Sequence, residues 1–229
     1  MRRTGLCFNV RSPMDVWSIK ETFLDRFYER YGGKIGEVWT IIDIGAGLGD
    51  FTVFAAHGHP TSQVFAFEPF QESFDLLKQN LRLNRVENVQ AFQTAVAGQT
   101  GQMVLDLTSG EPLQIQSSGA HASQQPAGNK CLVESVSLAE VLESHGLKQC
   151  DLLKLDCEGA EYEILFNASE AALRRIQRII MEYHDGVTEY DHRQMQSFLE
   201  SKGFEVKVYT NFVHHDLGYL YAGLKNADV

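Results

Sequence analysis

An apolar strand that runs straight into three alternating glycines and then a helix leaves few folds open to this chain. The segment is Ile41-Ile42-Asp43-Ile44-Gly45-Ala46-Gly47-Leu48-Gly49-Asp50-Phe51-Thr52. In a sheet of parallel strands such a turn lies at the crevice beyond the strands' carboxyl ends, where ligands bind. Bare glycine backbone at Gly45, Gly47 and Gly49 lets a ligand approach the main chain itself. The surrounding pattern agrees. Short apolar strands at 38–44, 63–67, 89–93, 151–155 and 178–182 alternate with amphipathic helices starting near 50, 71, 138, 160 and 192, which predicts a parallel sheet covered on both faces. The 229 residues are read as one domain. Residues 1–37 form a helical extension in which Val16, Ile19, Phe23, Phe27 and Tyr31 mark one apolar stripe on a helix over 15–31, stopped by Gly32-Gly33.

Two further segments, 102–108 and 131–137, alternate apolar and polar residues and predict an added antiparallel pair. Between them, 109–130 is rich in Ser, Gln, Gly and Ala and long for a connection in one domain. It reads as a lid or an insertion. Strands at 205–209 and 218–224 close the chain as a hairpin.

The chemistry starts with the third glycine. A dinucleotide fingerprint needs it one position later, where this chain has Asp50, and a carboxylate at the helix start opposes a pyrophosphate. Glu68 follows the strand Val64-Phe65-Ala66-Phe67 and precedes Pro69, in the place from which a carboxylate accepts both hydroxyls of an adenosine ribose. Asp43 adds a second negative group near the turn, suited to an amino group or a water network. Gly45, Ala46, Gly47, Gly49, Phe51, Thr52, Glu68, Pro69, Asp43 and Asp156 are therefore the expected cofactor contacts. An adenosine ligand that lacks phosphate and carries positive charge is expected, and S-adenosylmethionine meets that description.

The segment Lys154-Leu155-Asp156-Cys157-Glu158-Gly159-Ala160-Glu161 brings further acids to the same sheet edge. Acids so placed are costly unless a cation, a hydrogen-bond donor or a metal shares the space, and Lys154 within the strand is positioned to pair with one of them. Glu161 has a simpler reading as a carboxylate favoured at a helix start. Met181-Glu182-Tyr183-His184 ends the next strand, so His184 is the candidate general base, with Asp156 and Glu158 positioning the acceptor. His214 and His215 read as loop residues. The four cysteines have no metal-ligand spacing, and a metal is left unassigned.

Taken in order, Asp43 to Thr52, Phe67-Glu68-Pro69, the stretch 81–88 with its asparagines, Ala95-Val96-Ala97-Gly98, Lys154 to Glu161 and Met181 to His184 resemble the FkbM family of methyltransferases. The family more often has asparagine where this chain has Gly47, a departure that removes one side-chain contact. The resemblance implies a Rossmann-like class I methyltransferase fold, a three-layer α/β/α sandwich whose mostly parallel seven-stranded sheet has an antiparallel last strand. It also implies methylation of hydroxyl groups on sugars, polyketides and other secondary metabolites.

The formal charge of −10 comes with no lysine or arginine cluster, which argues against nucleic acid. No apolar run approaches a membrane span, and Met1-Arg2-Arg3 opens no signal sequence. A reducing cytoplasm is the expected setting. The acceptor is expected to be a small molecule or a glycan. N- or carboxyl-methylation, including that of a peptide, remains an alternative, as does an inactive cofactor-binding partner subunit. A dehydrogenase is disfavoured by Asp50.

Overall fold

The computed structural model describes residues 4–106, 113–115, 130–211 and 216–225. In chain order the elements are α1 (Pro13–Lys20), a π-helical turn (Glu21–Asp25), α2 (Phe27–Gly32), β1 (Thr40–Ile44), α3 (Asp50–Gly58), β2 (Gln63–Phe67), α4 (Gln71–Leu83), β3 (Val89–Phe92), β4 (Ala95–Ala97), β5 (Gly101–Asp106) and β6 (Leu113–Ile115). They continue as β7 (Lys130–Ser137), α5 (Leu138–Ser144), β8 (Leu152–Leu155), α6 (Ala160–Phe166), α7 (Glu170–Leu173), β9 (Arg178–His184), α8 (His192–Ser201), β10 (Phe204–Thr210) and β11 (Leu217–Leu224).

Seven strands form the main sheet in the order β10-β11-β9-β8-β1-β2-β3. β1, β2, β3, β8 and β9 run parallel, and β11 lies antiparallel to both β9 and β10. This is the Rossmann-like class I methyltransferase architecture with its antiparallel last strand. The central strands are buried along most of their length, as a sheet covered on both faces requires. The larger core cluster runs along β8, β9 and helices α5 to α8, through Leu153, Tyr162 and Leu199. A smaller sheet, β4-β7-β5-β6, stands beside the main one, and the expected antiparallel pair is its β5–β7 ladder.

Two expectations need correction. The single helix over 15–31 is interrupted: α1 passes into the π-helical turn, and Arg26 breaks the path at φ 53° before α2 begins. The face of α1 turned inward is polar, with Asp15 buried while Met14, Val16 and Trp17 are more than half exposed. The apolar spacing misled because Ser12 and Asp15 form a reciprocal capping box, which fixes Asp15 inward. The strand expected from Val38 starts at Thr40, since Val38 takes a left-handed φ of 61° and sits in solvent.

Asparagines tie the amino-terminal segment down. Asn84 bonds both the N–H and the carbonyl of Cys7, and Asn80 accepts from Asn9 N–H while donating to the Leu48 carbonyl. Apart from β6, residues 107–129 lie outside the described residues, so the expected lid over 109–130 falls largely there, as do His214 and His215.

Candidate active site

The parallel register sets one row of residues at the carboxyl edge. Ile44 stands opposite Phe67 on β2 and Leu155 on β8, and Leu155 stands opposite Met181 on β9. The next residues along each strand are Gly45, Glu68, Asp156 and Glu182. All four line a cavity of about 540 Å³, within the size range of small-molecule sites. Ala46, Gly47, Pro69, Glu158 and His184 line it as well.

The glycine turn is fixed by backbone bonds from the N–H groups of Gly45 and Ala46 to the Phe67 carbonyl. A Cβ on Gly45 would fall 1.9 Å from the Asp156 carbonyl oxygen. Glycine at 45 is thus demanded by the neighbouring strand, not by ligand access. Gly47 differs: at φ +53° a Cβ there would meet nothing within 4 Å. This is the open part of the cradle. Gly49 is packed against Leu77 of α4.

Glu68 lies almost wholly buried beside that opening. Its two carboxylate oxygens accept from the N–H groups of Phe70 and Gly47, each at 2.8 Å. Burial outweighs both bonds and pushes its pKa up to about 7. The backbone donors occupy one lone pair on each oxygen and leave acceptor capacity toward the cavity.

Of the expected cofactor contacts, Asp43, Gly49, Phe51 and Thr52 stand outside the lining of the cavity. Asp43 is fully buried and accepts from the Thr52 hydroxyl at 2.5 Å. Its register partner on β8 is Lys154, whose Nζ lies 3.0 Å from Asp43 Oδ1 and donates to the Gly45 carbonyl at 2.7 Å. The lysine therefore links the sheet interior to the turn. Burial alone would lower the Lys154 pKa, but Asp43, Asp156 and Asp50 raise it. Phe51 packs on Tyr28, with ring centroids 4.5 Å apart.

On the opposite wall, His184 is 6% exposed. Its Nε2 lies 3.5 Å from Glu158 and its Nδ1 3.4 Å from Glu161. Burial would lower the imidazole pKa, yet the facing carboxylates of Glu161, Glu158 and Asp156 override it and raise the value to about 10. The surrounding carboxylates therefore favour the charged form of the imidazole in the resting protein. Glu161 is fully buried and not at the crevice mouth; it accepts from the N–H groups of Cys157 and Gly159 at 2.6 and 2.7 Å. Burial works against its charge, but His184 and backbone donors including the Cys157 N–H bring its pKa below the usual value. Glu158 occupies a left-handed φ of 57°, a strained backbone of the kind that gathers at functional sites.

The sequence reading passed over two parts of the site. Glu182 stands two residues before His184 on β9 and so shares its face; burial and the Asp156 charge push its carboxyl well above the usual range. That period-two relation was visible in Glu182-Tyr183-His184. The amino-terminal wall was also missed: Arg11, Asp15, Trp17 and Glu21 line the cavity, and the Ser12-Pro13-Met14-Asp15 cap was its signal.

A family model described as "Methyltransferase FkbM domain" matches residues 43–206. Methyltransferase 1 of Beauveria bassiana is 27% identical over 207 residues, covering 82% of this chain and 80% of its own length. The 31-O-demethyl-FK506 methyltransferase FkbM of Streptomyces tacrolimicus is 27% identical over 194 residues, 72% of this chain and 73% of its own. Among solved structures, Methyltransferase FkbM from Methylobacillus flagellatus shares the fold at a TM-score of 0.60 and 12% identity, across 89% of this chain and 47% of that one.

Proposed function

This chain belongs to the FkbM family of S-adenosylmethionine-dependent methyltransferases, and from that premise we propose that it methylates a hydroxyl oxygen on a small natural product or glycan. The observation that carries the proposal is the convergence on one cavity of the open Gly47 cradle, Glu68 and the His184 cluster. A relative named for 31-O-demethyl-FK506 points to the acceptor class.

The residues present fit the cofactor. Glu68 offers acceptor capacity for ribose hydroxyls beside Gly47, where bare backbone leaves room for the nucleoside. When bound, S-adenosylmethionine supplies a methyl group on a sulfonium that needs alignment more than covalent help. Lys154, paired with Asp43, donates to the Gly45 carbonyl and so holds the turn in place.

At the other wall, Asp156 and Glu158 hold the acceptor hydroxyl and His184 takes its proton. Where His184 starts as the imidazolium, it first releases a proton to solvent through the cavity it lines, a loss favoured by a second positive charge in the same space, and the neutral ring then accepts the hydroxyl proton. A base so placed contributes about 10²–10⁴-fold. Met14 and Trp17, exposed at the cavity rim, offer apolar contact to the body of the acceptor.

The excess of carboxylates, including Glu21 and Glu182, favours one second reading, an amine acceptor. Carbon-13-labelled methyl transfer into hydroxyl-bearing metabolite fractions, followed by NMR of the product, separates the two. An alkali-stable methyl ether is expected. A label on nitrogen, or in an alkali-labile ester, would overturn the hydroxyl assignment.

A further inference from the structure

We propose that Asp156, Glu161 and His184 bind a divalent cation of the manganese or zinc type. Each offers one ligand atom, and the three atoms lie within 4.8 Å of one another. Among the described residues, no other group of three or more histidine, cysteine or acidic side chains converges in this way.

A second observation points to an occupant. His184 Nδ1 is buried, and among the described residues no hydrogen bond reaches it; it faces Glu161 at 3.4 Å. Its contact with Glu161 is an ion pair longer than an ordinary hydrogen bond, and an ion held between the ring nitrogen and the two carboxylates accounts for that spacing. The ligands are also held firmly. Glu161 is fixed by the N–H groups of Cys157 and Gly159, which is the kind of outer support that orients metal-binding carboxylates. Asp156 is in reach of the Tyr28 hydroxyl at 3.5 Å and stays open to the cavity, so its position is adjustable.

Two carboxylates and one imidazole form a mixed oxygen and nitrogen donor set. Hard cations such as magnesium favour all-oxygen sites, whereas manganese and zinc accept imidazole with carboxylate. The site opens on the cavity, which leaves coordination positions for a further ligand. Bound through Nδ1, the cation replaces a proton of the imidazolium and leaves Nε2 protonated, so the metal-loaded form would activate the acceptor hydroxyl by polarising it and the metal-free form through His184 as base; that use rests on the proposed function, whereas the binding does not.

The experiment uses the full chain. Mn2+ is titrated into metal-stripped protein, with the loss of the free-ion EPR signal giving stoichiometry, and Zn2+ is added in competition. One tight site per chain is expected, displaced by Zn2+. His184→Ala and Asp156→Asn should each weaken it by at least about tenfold, while Glu163→Gln, on the same helix as Glu161 but against Gly98, should leave it unchanged. Melting curves establish that each variant is folded; should one fail, the other decides. Absence of a stoichiometric site for either ion, or a site indifferent to the folded variants, overturns the proposal. A site that binds Mn2+ in a protein that methylates nitrogen would sink the hydroxyl reading and leave the cation site standing.

Discussion

The three glycines of the turn look equivalent on paper and are not. Gly45 is required by the Asp156 carbonyl 1.9 Å from its missing Cβ, whereas Gly47 faces open space at φ +53°. Gly45→Ala should therefore destabilise the fold outright, by more than the ~1 kcal/mol of an ordinary glycine replacement, and Gly47→Asn should fold normally; urea unfolding distinguishes them. The Asp43–Lys154 pair is as buried as any ion pair among the described residues. Lys154→Met leaves Asp43 uncompensated and should cost about 3–5 kcal/mol, with Lys154→Met/Asp43→Asn recovering much of the loss. Glu68 carries a pH signature. Its folded pKa of about 7 lies above the usual 4.5, so its contribution to stability is present below the unfolded value and is lost as pH rises through about 7. Ribose hydroxyls donate to the ionised form. Cofactor affinity measured by calorimetry should accordingly rise severalfold from about pH 6 to about pH 8, and Glu68→Gln should remove that slope. An unchanged affinity across the range would contradict the role given to Glu68.

At the scale of elements, the main strands were legible because their signal is local. Gln63–Phe67 and Gln71–Leu83 begin and end where apolar runs and helical spacing begin and end. The amino-terminal helix was misread because its buried face is polar, and only the reciprocal Ser12 and Asp15 bonds reveal the direction. Asp15 also accepts from the N–H groups of Arg11 and Ser12 and pairs with the Arg11 guanidinium, which in turn donates to Ser73 on α4. Asp15→Ala should loosen this wall of the cavity. A loss of about 0.5–2 kcal/mol, typical of a removed cap, is expected as faster amide exchange across Pro13–Lys20, with exchange in β1 unaffected. The short strands β4 and β6 escaped notice for the opposite reason: three residues are too few to show a period, and β4 is defined by its pairing with β7.

For the molecule as a whole, the sequence could bring Gly47, Glu68, Asp156, Glu158 and His184 to one sheet edge, since each lies at a strand's carboxyl end or in the turn just after it. It could not say which of the expected contacts stand behind the wall. Asp43 and Thr52 turn inward because Lys154 is the register partner of Asp43, a relation between strands more than a hundred residues apart. Nor could it show the carboxylates that face His184, since Glu161 reaches Nδ1 from α6 and Glu158 reaches Nε2 from the turn before it. Among the described residues no helix is long and apolar enough to cross a membrane. The proposed place of methyl transfer is the part of the cavity where the glycine cradle faces His184. The measurement that tests it most directly is cofactor affinity and turnover of folded His184→Ala, side by side. Nearly unchanged S-adenosylmethionine affinity and turnover lowered by about 10²–10⁴-fold are expected; a folded variant that keeps most of its turnover would overturn the assignment of His184.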